Sequence, residues 1–139
     1  MISAQNQVKG RITNIQSGEA MSLVTIQAGD HTVVSAVTNH GVKGLALKAN
    51  DSVTAVVKST EAMLIKDGGA QIKISARNLF KGQVESIDKG EAMGFVKVSA
   101  GSLHLGAAIT RQSLDEMQLA AGTPVTVAIK ATEVMLIKE

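Results

Sequence analysis

The sequence predicts an all-β protein made of two OB-type, five-stranded Greek-key barrels, each with one short helix. Three observations carry this expectation. The chain repeats itself, each copy holds five short alternating apolar runs, and a brief helical pattern falls between the third run and the fourth. Ile2-Ser3-Ala4-Gln5-Asn6 recurs as Ile74-Ser75-Ala76-Arg77-Asn78, an offset of 72 residues that holds without a gap. Lys9-Gly10 returns as Lys81-Gly82, Gly18-Glu19-Ala20-Met21 as Gly90-Glu91-Ala92-Met93, and Thr38 as Thr110. Lys58 through Lys66 returns as Lys130 through Lys138. Roughly 27 of about 65 aligned positions are identical, far beyond chance at a fixed period. The expected organisation is a first module over 1–67, a linker over 68–72 and a second module over 73–139.

In order, Val8 to Ile12 begins an alternating run, as a half-buried strand does. Gly10 and Gly82 lie inside such strands and predict a bulge or a close backbone approach. Gln16 to Glu19 reads as a turn. Met21 to Ala28 is the second strand, Gly29-Asp30 a hairpin turn, and His31 to Thr38 the third strand. In the second copy Ser113-Leu114-Asp115-Glu116 has capping-box spacing, Leu114 and Met117 share a face, and Gly122 suits a helix stop. Gly41 and Gly44 weaken the same helix in the first copy. Val53 to Val57 and Met63 to Lys66 complete the module. The linker residues, fully extended, span at most about 18 Å, so the modules lie close together. Val, Ile and Leu at alternating positions form the expected core, with the paired methionines Met21/Met93 and Met63/Met135 as core gap fillers. A β-sandwich is the alternative architecture.

Modules of about 65 residues bury a modest core and are marginal alone, so packing on the other module or on other chains is expected. The chain has no cysteine, which fits a reducing compartment. No run approaches the roughly 18 apolar residues of a membrane span, and the N-terminus lacks the pattern of a signal peptide. The expectation is a soluble cytoplasmic protein without membrane contact. The net charge is +2, with no dense basic block. With no Trp, no Tyr and two Phe, the chain lacks the stacking faces of single-stranded nucleic-acid binders.

No catalytic constellation is visible. His31, His40 and His104 occupy non-equivalent repeat positions and show no metal-ligand spacing, so they read as surface residues. The repeated carboxylates Glu19/Glu91 and Glu61/Glu133 read as turns and strand edges in preference to acid–base pairs. No phosphate-binding glycine loop precedes a long helix. What repeats is a set of anion-binding groups. Ser3 and Ser75 offer hydroxyls, Lys58 and Lys130 ammonium groups, and Ser59, Thr60 and Thr132 further donors. Thr38 and Thr110 end the third strand of each copy, and Arg77 adds a planar fork in the second copy only. Such groups suit a small tetrahedral oxyanion, which needs several convergent donors when it leaves water. The same residues also read simply as strand ends and turns.

Ser75-Ala76-Arg77-Asn78, Lys81-Gly82, Ala108-Ile109-Thr110 and Lys130-Ala131-Thr132-Glu133-Val134-Met135 together resemble the Mop, or molbindin, domain of molybdate-binding proteins. The resemblance covers each module from end to end, so the chain is similar to the tandem-Mop molbindins of the ModG type. It implies an OB-type barrel, binding of molybdate and usually tungstate, and a role in intracellular molybdenum storage and homeostasis. It further implies a homotrimer with oxyanions held at contacts between modules and subunits, with no organic cofactor and no direct cation ligands. The resemblance assigns Ser75, Arg77, Thr110, Lys130 and Ala131 in the second module, Ala131 through its backbone N–H alone. In the first module it assigns Ser3, Thr38, Lys58 and Ser59. The family's Ser-Ala-Arg-Asn motif has Arg where the first copy has Gln5, so sites that use Gln5 are expected to be weaker than those that use Arg77. The turns Gly18-Glu19-Ala20 and Gly90-Glu91-Ala92 are candidates for a second class of anion site, against the simpler reading as hairpin turns.

Tandem Mop domains also occur beside a DNA-binding domain in a transcription regulator, and a single module ends a transporter ATPase. With its first module opening at Ile2 and no Walker motif, this chain reads as a free-standing binder and not an enzyme. The alternative is an OB-type nucleic-acid or protein-interaction module.

Overall fold

The structure is a computed structural model and describes residues 5–66 and 73–138. The expected linker over 68–72 lies outside the described residues. Each half gives the same series. The first is β1 (Asn6–Ser17), β2 (Met21–Ala28), β3 (His31–Thr38), α1 (Asn39–Gly44), β4 (Ser52–Val57), a 3₁₀ turn (Ser59–Glu61) and β5 (Met63–Ile65). The second is β6 (Asn78–Lys89), β7 (Met93–Ala100), β8 (Leu103–Thr110), α2 (Arg111–Glu116), β9 (Pro124–Ile129), a 3₁₀ turn (Ala131–Glu133) and β10 (Met135–Ile137). The chain is all-β, with two curled five-stranded sheets and few, short helices.

The two sheets exchange their last strands. One has the order β10-β4-β1-β2-β3 and the other β5-β9-β6-β7-β8, all neighbours antiparallel. Met135 thus pairs with Val56, and Met63 with Ala128. Duplication permits the exchange, because β5 and β10 share the sequence Met-Leu-Ile. One continuous core joins both halves, with Ile12, Val24 and Ile26 packed in the same cluster as Val96, Val98 and Val127.

Two buried asparagines reinforce the junction. Asn6 donates from Nδ2 to the Gly106 carbonyl (2.8 Å) and accepts from the Gly106 N–H (2.7 Å). Asn78 does the same to Val34, at 2.8 and 2.7 Å. Ser35 Oγ donates to the Val134 carbonyl at 2.6 Å. These bonds satisfy polar groups that burial would otherwise leave unpaired.

The glycines in β1 and β6 mark close approaches, as expected. A Cβ on Gly10 would lie 2.6 Å from Ile26 Cγ2, and one on Gly82 only 2.2 Å from the Ser99 carbonyl oxygen. Just beyond each, the register slips by a bulge, between Ile12 and Asn14 and between Val84 and Ser86.

Several expectations are corrected. The second helix is capped by Thr110, whose Oγ1 accepts from the Ser113 N–H, so Ser113 lies inside the helix. That helix ends at Glu116, and Gly122 takes its positive φ in the following loop. The first helix, which Gly41 and Gly44 weaken, still has the same length as the second and a matching Thr38 cap. The cap and the bond from the Asn39 N–H to the Ala20 carbonyl outweigh the propensity loss. The paired methionines are not core: Met21, Met63, Met93 and Met135 are each 40–45% exposed. They fall at strand ends, on the faces turned away from the core. His31 is not a surface residue. It is half-buried, its ring 6.0 Å from that of Phe80 in the other half, and its Nδ1 is buried without a hydrogen bond. His40 and His104 are exposed, and His104 meets Glu85 at 2.8 Å.

Candidate functional site

The candidate residues gather where a β-strand of one half meets the 3₁₀ turn of the other. β4 ends at Val57, paired with Asn6, so Lys58 and Ser59 leave the sheet beside Gln5. Asn6 is itself clasped to Gly106 of β8, which brings this loop to the other half. The second copy mirrors it. Ile129 pairs with Asn78, so Lys130 and Ala131 emerge beside Arg77, and Asn78 and Val134 hold them to Val34 and Ser35 of β3. Each half-site therefore straddles the two modules.

Within each loop the donors are uncommitted. The 3₁₀ turns bond the Glu61 N–H to the Lys58 carbonyl and the Glu133 N–H to the Lys130 carbonyl, both at 3.0 Å. Among the described residues, the N–H groups of Ser59, Thr60, Ala131 and Thr132 carry no hydrogen bond. Lys58, Lys130 and Arg77 are exposed, and none of them has a carboxylate partner among the described residues. Unpaired cations beside free N–H groups form a local positive field suited to a small anion. Ala131, 8% exposed, can take part only through its backbone. Ser75 is exposed two residues before Arg77. Ser3 lies outside the described residues.

Thr38 and Thr110 are not brought to their own half's lysine loop. Each caps a helix, Thr38 Oγ1 accepting from the Gly41 N–H at 3.0 Å and Thr110 Oγ1 from the Ser113 N–H at 3.1 Å. Thr38 stands three residues past Ser35, about 10 Å further along β3. Thr110 also donates to Ser113 Oγ at 2.9 Å, while the Thr38 hydroxyl proton has no acceptor among the described residues.

The two glycine turns are partly committed. The Gly18 and Gly90 N–H groups bond the Met21 and Met93 carbonyls, each at 2.8 Å. Asn39 Nδ2 holds the Gly18 carbonyl, and Arg111 Nη1 holds the Gly90 carbonyl. Glu19 and Glu91 are exposed at these turns. Among the described residues no group of three His, Cys, Asp or Glu side chains is arranged to hold a metal ion, and no helix is long and apolar enough to cross a membrane.

Asn6 and Asn78 escaped assignment in the sequence although they belong to the repeated motif. Their conservation between the copies was the available signal. Their partners lie 100 and 44 residues away, which local pattern does not reveal.

Comparison with known proteins gives the same picture. The TOBE domain family matches twice, over residues 2–64 and 74–136. The chain is 32% identical over 136 residues to the molybdenum transport protein ModE of Herbaspirillum seropedicae, covering 96% of this chain and 50% of that one. The chain thus spans about half the length of that relative. The molybdenum-pterin-binding protein 2 of Clostridium pasteurianum is 35% identical over 65 residues, 46% of this chain and 96% of that one. Among solved structures, the cytoplasmic molybdate-binding protein ModG with molybdate bound superposes with a TM-score of 0.94 at 28% identity, covering 99% of both chains. Matched twice over nearly all of its length, the chain belongs to the TOBE domain family, and its paired modules make it a tandem Mop-domain molbindin.

Proposed function

We propose that this protein binds molybdate, and tungstate by the same chemistry, and that it stores and buffers the oxyanion inside the cell. The observation that carries the reading is the pair of cationic loops, Lys58-Ser59 and Lys130-Ala131, each seated across the module junction with free donors and, among the described residues, no carboxylate partner. The molybdate-bound ModG structure, alike over the whole chain, supports molybdate as the anion. Lys130 and Arg77 neutralise its charge, and Ser75 and the Ala131 N–H fix its oxygens. Lys58, Ser59 and Ser3 do so in the first copy, with Gln5 in place of the guanidinium.

The functional unit in this reading is a homotrimer. Four exposed methionines, related in pairs by the repeat, offer apolar surface for neighbouring subunits. Thr38 and Thr110, set too far along their strands from the lysine loop of the other half that packs against them, complete sites in adjacent subunits. The chain acts as a binder and not a catalyst, and it works in the cytoplasm without nucleic acid or membrane.

Calorimetric titration with molybdate, repeated in excess sulfate, tests this reading. Saturable heat that survives sulfate is expected, with Lys130→Ala weakening binding about tenfold or more through loss of a charge-assisted contact. Arg77→Gln should weaken the second-copy sites, and Gln5→Arg should strengthen the first. Absence of heat in either buffer would remove the oxyanion reading. Light scattering of the same sample at three times the chain mass would support the trimer, and a monomer mass would overturn it.

A further inference from the structure

A groove of about 490 Å³ opens on the outer face of the first sheet, away from both lysine loops. It lies where β4, β1 and β2 run side by side and the exchanged β10 borders β4. Lys9 and Arg11 alternate on the exposed face of β1, Lys9 opposite Thr54 and Arg11 opposite both Ser52 and Gln27. Ile137 of β10 pairs with Thr54 and adds an apolar wall. Two cations, two hydroxyls and an amide thus share one concave surface, with no carboxylate among the described residues that line it.

The two cations and the two hydroxyls are not committed to other groups among the described residues. Among the described residues, neither Lys9 nor Arg11 has an ion-pair partner, and neither the Ser52 nor the Thr54 hydroxyl makes a hydrogen bond. The neighbouring Asp51 is already taken, accepting from Lys138 Nζ at 3.0 Å and from the Lys48 N–H at 3.0 Å. The wall is firm, since Gln27 Nε2 donates to the Gly29 carbonyl at 2.7 Å and its Oε1 accepts from Thr32 Oγ1 at 3.1 Å.

The second module supplies an internal comparison. Lys9 and Thr54 recur there as Lys81 and Thr126, but Arg11 is replaced by Gln83 and Ser52 by Pro124. The same strands form without the guanidinium and the hydroxyl, so the fold does not require them. They are additions to one copy, and they make its groove doubly cationic.

We propose that this groove is a separate site for a small organic phosphate. The Arg11 fork matches two phosphate oxygens, Lys9 balances the second negative charge, and the Ser52 and Thr54 hydroxyls donate to the remaining oxygen. The volume falls within the range of about 300–1,000 Å³ typical of small-molecule sites and exceeds what a bare oxyanion fills, leaving room for an organic portion against Ile137. A ligand there also bridges the first module to the strand it receives from the second.

Phenyl phosphate is the probe, titrated into the intact protein already saturated with molybdate and followed by amide NMR. Saturable shifts are expected at residues 9–11, 27–29 and 52–54, with affinity for inorganic phosphate clearly lower. Arg11→Gln, which reproduces the second copy's residue on an exposed strand face, should weaken binding about tenfold or more while leaving molybdate binding unchanged. Absence of shifts at these amides would overturn the site, as would unaltered affinity in Arg11→Gln. Shifts seen only without molybdate would place the phosphate in the oxyanion site and overturn the separate one. Equal affinity for inorganic phosphate would overturn the organic class.

Discussion

A buried asparagine can grip one backbone residue at both its N–H and its C=O, because its amide presents a donor and an acceptor side by side. Asn6 and Asn78 do this to Gly106 and Val34, and both are almost wholly buried. Replacing Asn78 by Ala removes both bonds and leaves the Val34 N–H and C=O unsatisfied, at about 1–3 kcal/mol each. Urea unfolding of Asn78→Ala should therefore show a loss of about 2–6 kcal/mol, and a loss under about 1 kcal/mol would mean that water replaces the clasp. Glycines divide by the same local logic. A Cβ at Gly82 meets the Ser99 backbone at 2.2 Å, whereas one at Gly44 meets nothing within 4 Å. Gly82→Ala should destabilise by about 1–3 kcal/mol through overpacking, and Gly44→Ala should stabilise by about 0.4–1 kcal/mol through a stiffer unfolded chain. Thermal melts of the two variants must move in opposite directions.

At the scale of elements, the exchanged strands are only three residues long and need anchoring at their ends. Lys138, just past β10, donates to Asp51 Oδ2 at 3.0 Å and to the Ala46 carbonyl at 2.9 Å. Its counterpart Lys66 reaches the Met117 carbonyl at 2.7 Å, and Thr123 stands where the first copy has Asp51. The hydrogen bond from Lys138 holds the Asp51 carboxyl below its ordinary value. A carboxyl lowered in the folded state contributes stability that is present above its unfolded pKa, about 3.9, and is lost as pH falls through the folded value. Urea midpoints measured from pH 6 down to pH 2 should thus fall more steeply in the parent chain than in Asp51→Asn. Glu85, lowered by its hydrogen bond with His104, titrates in the same window in both proteins and cancels in the difference. Parallel curves would show that the link adds nothing. Elements were legible where sequence carries their boundaries: β2 and β3 end where expected because Gly29 takes a positive φ between them. The start of α2 was misread because Thr110 and Ser113 both suit a cap, and only the surrounding chain decides between them. β1 takes in Gln16 and Ser17 of the expected turn, because the bulge after Ile12 shifts its pairing with β2 and carries the ladder on to Ser17. The lysine loops were legible through the repeat, whereas the face each methionine turns to was not, since apolarity alone does not say what will cover it.

For the molecule as a whole, duplication and strand exchange have one joint consequence: neither half is complete without the other. Residues 5–66 supply four strands of the first sheet and the edge strand of the second, and residues 73–138 the reverse. A half on its own would lack β10 beside β4, expose Val56 (buried here) and lose the clasps at Gly106 or Val34. Among the described residues, the contacts that cross between halves include the continuous core, two three-residue ladders and the buried amide bonds. Cutting the connecting segment between Lys66 and Lys73 with an inserted protease site should therefore leave the two fragments associated. The cut protein should keep the elution volume of the intact chain in size exclusion and separate only in denaturant. Once separated, dilute fragments should rejoin slowly, because covalent linkage no longer holds each at high effective concentration near the other. Fragments that part at once under native conditions would show that each half closes on its own last strand, and the exchange of β5 and β10 would be wrong.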